Sequence, residues 1–294
     1  MMDKEKELGN RNHSSNIQPG ITAVVAVLNG AATIGRCIDS VAGQTYRQTE
    51  LIIVDGGSSD ETVEILKNNA EKITYWKSEK DNGIYNAWNK ALERVRGEWV
   101  IFLGADDFFW DSSVLKKLAP YLMKVQETTK VVYCQSILVD GEGNELTRLG
   151  QPWSEIKRRF PYLMGIPHSA TFYRRSVFDD RGKFDESFHI AGDFEFLLRE
   201  FGFSEPLFIP DLVTTGMQYG GISSIGSNGL LVLKEMRTAQ KRHGFRIPGF
   251  CWIVLCARVR LRMILQGYVG NPTSAKLLDW GRRFSGRKPF WTRI

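Results

Sequence analysis

Two adjacent carboxylates, Asp106 and Asp107, stand at the end of the apolar run Trp99 to Leu103 and just before Phe108, Phe109 and Trp110. Like charges side by side repel, and a divalent cation bridging them to a ligand phosphate would neutralise them. A solvated loop after a strand would carry the same residues. Asp55 closes a second apolar run, Leu51 to Val54, and opens the segment Asp55-Gly56-Gly57-Ser58-Ser59-Asp60. There it could accept hydrogen bonds from a base or a ribose, although Asp-Gly-Gly is equally a turn sequence. Asp193 and Glu195 begin an amphipathic helical pattern, where exposed amides favour negative charge. Asp193 is there either a helix cap or a general base, a role that asks only for a carboxylate beside a reacting hydroxyl. His168, alone in Gly165-Ile166-Pro167-His168-Ser169, suits packing as well as catalysis.

The loop Gly30 to Gly35 has the G-x-x-x-x-G spacing of a phosphate-binding loop, but Arg36-Cys37 stands where Lys-[Ser/Thr] is required. Neither the phosphate-gripping lysine nor the metal-binding hydroxyl is present. The loop is not G-x-G-x-x-G either, which weakens simple ATPase and dinucleotide readings.

The elements that position these residues follow from periodicity. Ile21 to Leu28 is a near-continuous apolar run, as in a parallel strand covered on both faces. Ile34, Cys37, Ile38 and Val41 fall at helical spacing, and Leu51 to Val54 is a second buried strand. Ser58 and Glu61 form an S-x-x-E capping box before a helix reaching about Asn69. Ile73 to Trp76 is a third strand, Tyr85, Trp88, Leu92 and Val95 mark a helix, and Trp99 to Leu103 is a fourth strand. This alternation predicts an α/β fold with a Rossmann-like, mostly parallel sheet flanked by helices, in which ligands bind beyond the carboxyl ends of the strands. Further on, the pattern predicts a helix near 112–125, a strand near 131–139, a turn at Asp140 to Gly143, a helix from Gly192 and another from Asn228 to Arg242.

Composition is that of a globular protein, 43% hydrophobic and 24% charged, which excludes disorder for the bulk of the chain. The four cysteines form no C-x-x-C pair and the four histidines no H-x-x-x-H, so neither a zinc site nor a disulfide framework is written here, and a reducing compartment is expected. The net charge of +6 is unevenly spread. Residues 1–233 carry 25 Lys and Arg against 31 Asp and Glu, a net of −6, whereas residues 234–294 carry 14 against 2, a net of +12. Such a tail suits phosphates on nucleic acid or on an anionic membrane.

The clusters also occur in a telling order. Asn29 after a buried strand, then IIVDGGSSDETVEIL at 52–66, EKDNGIYNAWNKAL at 79–92, GEWVIFLGADD at 97–107 and AGDFEFLLR at 191–199 together resemble the inverting family 2 glycosyltransferases of GT-A fold. More narrowly the chain is similar to bacterial members that build cell-surface polysaccharides. The resemblance covers about residues 20–225. It implies that Asp55 contacts the nucleotide base, and that Val27, Asn29, Asp81, Gly83, Asn86, Asn89 and Lys90 line the nucleotide-sugar pocket. It further implies Asp106 near the ribose, Asp107 on Mn²⁺ or Mg²⁺, and Asp193 as the base that deprotonates the acceptor hydroxyl, with His168 and Glu195 at the acceptor pocket. The sequence departs from many relatives at Gly104, where aspartate is common, and at Gly192, where glutamate is common. The first departure leaves fewer carboxylates for a metal; the second keeps the aspartate of the base.

The expected organisation is therefore a polar arm at 1–18 without a signal peptide, a GT-A domain at 19–225 with a nucleotide-sugar half (19–110) and an acceptor half (111–225), and a basic helical region at 226–294. The apolar stretch Gly249 to Ala257 is too short to span a bilayer and runs into Arg258, Arg260 and Arg262. A membrane-surface segment is expected there, with Phe250, Trp252 and Trp280 near the headgroups, set against a helix packed on the domain. No nucleic-acid motif accompanies the charge. The expected partners are a nucleotide-sugar donor, foremost a UDP-sugar, and a saccharide or polyprenyl-diphosphate-linked acceptor. The expected location is the cytoplasmic face of the cell membrane. A nucleotidyltransferase and a silent sugar-nucleotide-binding scaffold are the rival readings.

Overall fold

A computed structural model describes residues 18–221, 228–284, 286 and 289–293, so all but the last residue of the arm expected at 1–18 lies outside it. The predicted strand-helix alternation is present: β1 (Ile21–Val27), α1 (Ile34–Ala42), β2 (Thr49–Asp55), α2 (Thr62–Asn68), β3 (Tyr75–Ser78), α3 (Ile84–Leu92) and β4 (Trp99–Gly104). These four strands are parallel and ordered β3-β2-β1-β4. After them come β5 (Phe108–Phe109), α4 (Val114–Leu122), β6 (Val131–Val139), β7 (Glu145–Leu149) and α5 (Trp153–Ile156). The chain continues through β8 (Thr171–Arg174), α6 (Ser176–Arg181), α7 (Gly192–Glu200), β9 (Leu207–Gln218) and α8 (Gly229–Arg242). Beyond β4 the sheet becomes mixed: β8 is antiparallel to both β4 and β6, while β9 is parallel to β6.

Alternation of side chains across the pleat divides the core into two. Ile21, Ala23, Val25 and Val27 of β1, with Trp99, Ile101 and Leu103 of β4, meet α1 and α4 on one face. Val24, Val100 and Phe102 point the other way, into an aromatic layer with Trp88, Tyr173, Phe184, Phe194 and Phe196. Both faces are covered, as the unbroken apolar runs require.

The last helix, α9 (Phe250–Phe284), is two helical stretches run together across Gly270, whose φ is 73°. Its first stretch corrects one expectation. Trp252 does not face outward; it is buried with Val259 in the same core cluster as Leu233 and Met236 of α8. Phe250 and Trp280 are exposed, as expected. Among the described residues no helix is long and apolar enough to cross a membrane.

Candidate active site

Register brings the functional loops to one edge. Val27 lies opposite Asp55, Ala26 opposite Gly104 and Asp55 opposite Ser78, so β1, β2, β3 and β4 end together. Asn29, in the left-handed region at φ 52°, donates its amide to Ser58 Oγ (2.7 Å) and accepts from the Ser59 amide (2.9 Å) through Oδ1. Asp55 is fully buried. Its carboxylate accepts from the amides of Gly57 (3.2 Å) and Ser58 (3.1 Å), from Ser78 Oγ (2.5 Å) and from Ser58 Oγ. The hydrogen bonds expected from a base are thus made by the chain itself: Asp55 builds the loop. Ser58 is drawn into this network and does not cap α2, so the predicted capping box does not form; Asp60 accepts instead from the amide (3.1 Å) and hydroxyl (2.6 Å) of Thr62. Asp81 sits against Gly56, where an added Cβ would come within 2.7 Å of Asp81 Oδ2, and accepts from the Gly83 amide at 2.9 Å.

Three residues expected to line the donor pocket are engaged elsewhere. Asn89 is buried and exchanges hydrogen bonds with the Phe184 backbone (2.9 and 3.0 Å) and Glu186 (2.8 Å). Asn86 donates to the other oxygen of Glu186 at 2.8 Å, and Lys90 pairs with Glu79 at 3.0 Å. The resemblance implies a pocket role for these polar groups; in the structure they pin the 184–186 segment to α3 and fix α3 itself.

At the end of β4 the carboxylate pair folds back over Gly104. A Cβ there would meet Asp106 Oδ1 at 2.6 Å and Asp107 Oδ2 at 3.3 Å, and the Gly104 amide donates to Asp107 Oδ2 at 2.8 Å. The aspartate common at this position elsewhere would displace the Asp106 carboxylate. Burial first, and then the Asp106 charge, push the Asp107 carboxyl above its ordinary range; burial does the same to Asp106. Arg36 is the nearby counter-charge: its Nη2 donates to the Asp106 carbonyl (3.0 Å) and to Gln218 Oε1 (2.8 Å), with the guanidinium 4.3 Å from the Phe108 ring centroid. No cluster of three or more His, Cys, Asp or Glu occurs among the described residues. A buried carboxylate and its half-buried, mutually repelling neighbour nevertheless fit Mg²⁺ or Mn²⁺, since such ions commonly take one or two carboxylates and complete their shell with substrate phosphates and water.

Antiparallel pairing of β8 with β4, Ile101 opposite Phe172, returns the start of β8 to the same edge. The turn His168–Ala170 precedes it, and His168 lies 4.8 Å from Trp88, stacked at 22°. Its Nδ1 is 3.2 Å from the Tyr173 hydroxyl and 3.7 Å from Asp193 Oδ2. Burial holds this imidazole below its usual pKa and so neutral, opposed in part by the Asp193 charge. Asp193 keeps 19% of its side chain exposed, the access a base needs.

Asp193 is not the helix cap. Ala191 occupies that position without a capping side chain, and the task passes to Tyr85 of α3. The Tyr85 hydroxyl accepts from the amides of Gly192 (2.7 Å) and Asp193 (3.2 Å) and donates to the Ile190 carbonyl (2.7 Å). Gly192 follows from this: a Cβ would strike the Tyr85 ring at 2.7 Å. On the other side Glu235 of α8 accepts from the amides of His189 (2.8 Å), Ile190 (2.8 Å) and Ala191 (2.9 Å), the residues leading into Asp193. Glu195, expected at the acceptor pocket, is buried and committed to Arg199 (2.5 Å) and His243 (2.7 Å); it braces α7 against α8. Sequence reasoning missed Glu235 and the role of Tyr85, because a side chain that serves amides more than forty residues away leaves no local pattern.

An acidic, metal-suited strand end and a supported aspartate on one edge of an α/β sheet define a GT-A type of enzyme. The family profile described as glycosyl transferase family 2 matches residues 22–182, and the chain belongs to that family as a glycosyltransferase. It is 30% identical over 219 residues to the PGL/p-HBAD biosynthesis glycosyltransferase of Mycobacterium tuberculosis, covering 70% of this chain and 80% of that one. Its fold is similar to that of a mannosyltransferase from Pyrobaculum calidifontis solved with GDP-Man and Mn²⁺ (TM-score 0.61, 18% identity, 94% of this chain and 84% of that one). It is also similar to Staphylococcus aureus TarS 1-349 solved with UDP (TM-score 0.57, 17% identity, 91% and 78%).

Two outcomes follow from these contacts. Asp107→Asn relieves a buried repulsion while keeping an acceptor for the Gly104 amide, so in cation-free buffer it should melt above the parent, by about 2–4 °C for each kcal/mol relieved. Mn²⁺ should raise the melting temperature of the parent and not of the variant; an unchanged or lower melting point for the variant without cation contradicts the repulsion. Glu235→Gln should lower kcat about tenfold or more, because small misplacements of a reacting group are costly, with the donor KM little changed. Steady-state kinetics showing an unaltered kcat would remove Glu235 from the positioning of Asp193.

Proposed function

We propose that the chain is an inverting glycosyltransferase that moves a sugar from a nucleoside-diphosphate sugar, foremost a UDP-sugar, to a hydroxyl of a saccharide or lipid-linked acceptor in cell-surface polysaccharide or lipopolysaccharide assembly. The observation that carries the reading is Asp193. It is a partly exposed carboxylate at the start of α7, held by Tyr85 and Glu235 at the edge where Asp106 and Asp107 end β4. Inversion by direct displacement asks for one base on the acceptor side and positive charge on the diphosphate side. Asp193 Oδ2 takes the acceptor proton as the hydroxyl oxygen attacks the anomeric carbon, and the diphosphate leaves from the opposite face. Neutral His168, stacked on Trp88, bounds Asp193 on one side and leaves its charge uncompensated, as a base requires.

Asp107, with Asp106, would hold a divalent cation, which when bound neutralises charge developing on the leaving diphosphate. Arg36 adds a fixed positive charge at that end. The loops built by Asp55 and Asn29, with Asp81 and Gly83, shape the nucleotide pocket. The GDP-Man of the mannosyltransferase and the UDP of TarS support a nucleoside-diphosphate donor in general. Gly104, the one feature that favoured a silent scaffold, is the position over which the Asp106 and Asp107 carboxylates fold.

The C-terminal region supports attachment to an anionic membrane. Phe250, Ile253, Leu261, Ile264, Trp280 and Phe284 of α9 are exposed on a segment that also carries Arg258, Arg260, Arg282 and Arg283. Apolar contact with added basic charge is what interfacial helices use. We place the enzyme on the cytoplasmic face of the membrane, with a polyprenyl-diphosphate-linked acceptor presented there.

Incubating the protein with a panel of nucleotide sugars, Mn²⁺ or Mg²⁺ and lipid-linked acceptors should give nucleotide release and a product of inverted anomeric configuration. Asp193→Asn should slow transfer about 100- to 10,000-fold; near-normal transfer by the variant, or retained configuration, would refute the mechanism. In flotation assays the protein should rise with phosphatidylglycerol-rich vesicles more than with neutral ones. Phe250→Ser with Ile253→Ser should abolish this while sparing the buried Trp252; flotation unaffected by these changes argues against the membrane face.

A further inference from the structure

Between the end of β9 and the second stretch of α9 lies a cavity of about 480 Å³ whose lining includes Tyr219, Arg262, Gln266, Asn271, Lys276 and Trp291. Its chemistry is one-sided: among the described residues two cations and no carboxylate line it. Asp279, on the same stretch of α9, is spent elsewhere, accepting from the amides of Phe290 (2.7 Å), Trp291 (3.0 Å) and Thr292 (2.8 Å). The Arg262 guanidinium lies 4.2 Å from the Trp291 ring centroid and reaches the Tyr219 hydroxyl only at 3.5 Å. Its Nε and Nη1 are buried with no hydrogen-bond partner. A desolvated guanidinium without an acceptor is costly, and such an orphan calls for a missing partner, of which a bound anion is one kind.

The place of the cavity narrows the anion. Tyr219 directly follows Gln218, the acceptor of Arg36, and a Cβ on Gly221 would come within 3.1 Å of Asp106 Oδ2. The cavity therefore adjoins the carboxylate end of the active site. Val269, two turns beyond Arg262 and one beyond Gln266 on the same side of α9, is exposed to solvent. Cations within and apolar groups outside match an amphiphile with a phosphate head.

We propose that this cavity is an anion subsite that takes the diphosphate of a lipid-linked acceptor. Arg262 supplies a planar fork of donors and Lys276 a second charge, while the hydrocarbon chain leaves past Val269 on the same side of α9. The assignment rests on the lipid-linked acceptor in the reading above. The same phosphate chemistry occurs in the donor, so the test must separate the two sources.

Isothermal titration calorimetry on the full chain, in buffer free of divalent cations, with farnesyl diphosphate and with inorganic pyrophosphate, makes that separation. Both probes should bind the parent, farnesyl diphosphate more tightly. Arg262→Gln should weaken both at least tenfold, and Arg262→Lys should weaken them less. Binding should persist with UDP present in excess. Equal affinity of parent and Arg262→Gln, or no binding to the parent, overturns the subsite; loss of binding in UDP assigns the anion to the donor and overturns the acceptor role. Equal affinity of the two probes removes the lipid chain from the proposal and overturns it as stated. Circular dichroism and the melting temperature of Arg262→Gln exclude misfolding as the cause of weakened binding. Because the titration uses no sugar transfer, a failure of Asp193 as base is read separately, in the activity of Asp193→Asn.

Discussion

The active site depends on one hydroxyl in an unusual place. Tyr85 belongs to α3, yet its oxygen sits at the start of α7, where the first amides have no partner within the helix. Helices usually solve this locally, with Ser, Thr, Asp or Asn at the cap. Here the cap residue is alanine, and the solution comes from more than a hundred residues away. The consequence is functional. Asp193 gives Oδ1 to one backbone amide, that of Phe194 (2.8 Å); with Tyr85 serving the amides of Gly192 and Asp193, Oδ2 is left toward His168 and solvent.

The same constraint explains the two glycines where the chain departs from its relatives. Gly192 gives way to the Tyr85 ring and Gly104 to the Asp106 and Asp107 carboxylates. In both cases a side chain has been given up so that a functional group can lie against backbone. Read from sequence alone, Gly104 looks like a lost metal ligand. In three dimensions it is the floor on which the remaining pair rests, and the burial that raises their pKa values is the condition a divalent cation would reverse.

Much of this was legible before any coordinates. The apolar runs of β1, β2 and β4 and the helical spacing of Ile34, Cys37, Ile38 and Val41 locate the parallel half of the sheet, because unbroken apolar runs and the 3.6-residue period follow directly from burial. The strand-end loops then fell where the topology predicts. What could not be read was the choice each polar side chain makes among competing partners. Ser58 looks like a cap and serves Asp55 and Asn29; Asn86, Asn89 and Lys90 look like pocket residues and brace the 184–186 segment and Glu79; Glu195 pairs with Arg199 and hydrogen-bonds His243. Each outcome depends on residues distant in sequence, so spacing carries no trace of it. Glu235 is the extreme case, one acid in a basic region, with its three acceptor contacts all on the loop before Asp193.

That acid also changes the meaning of the charge asymmetry. A basic tail of +12 behind a body of −6 suggests an appendage that could be removed without touching catalysis. The packing argues otherwise: Glu235 holds the approach to Asp193, His243 hydrogen-bonds Glu195, and Trp252 and Val259 join the core built on β4 and α3. The inner face of α8 and α9 is thus part of the domain core, while Arg258, Arg260 and Arg283 and the exposed aromatic residues of α9 face outward. One pair of helices therefore holds the loop leading to Asp193 and also carries this basic, aromatic surface. Any interaction that shifts α8 relative to α7 acts on the 189–191 loop through Glu235, which couples the placement of Asp193 to the face on which a lipid-linked acceptor would arrive.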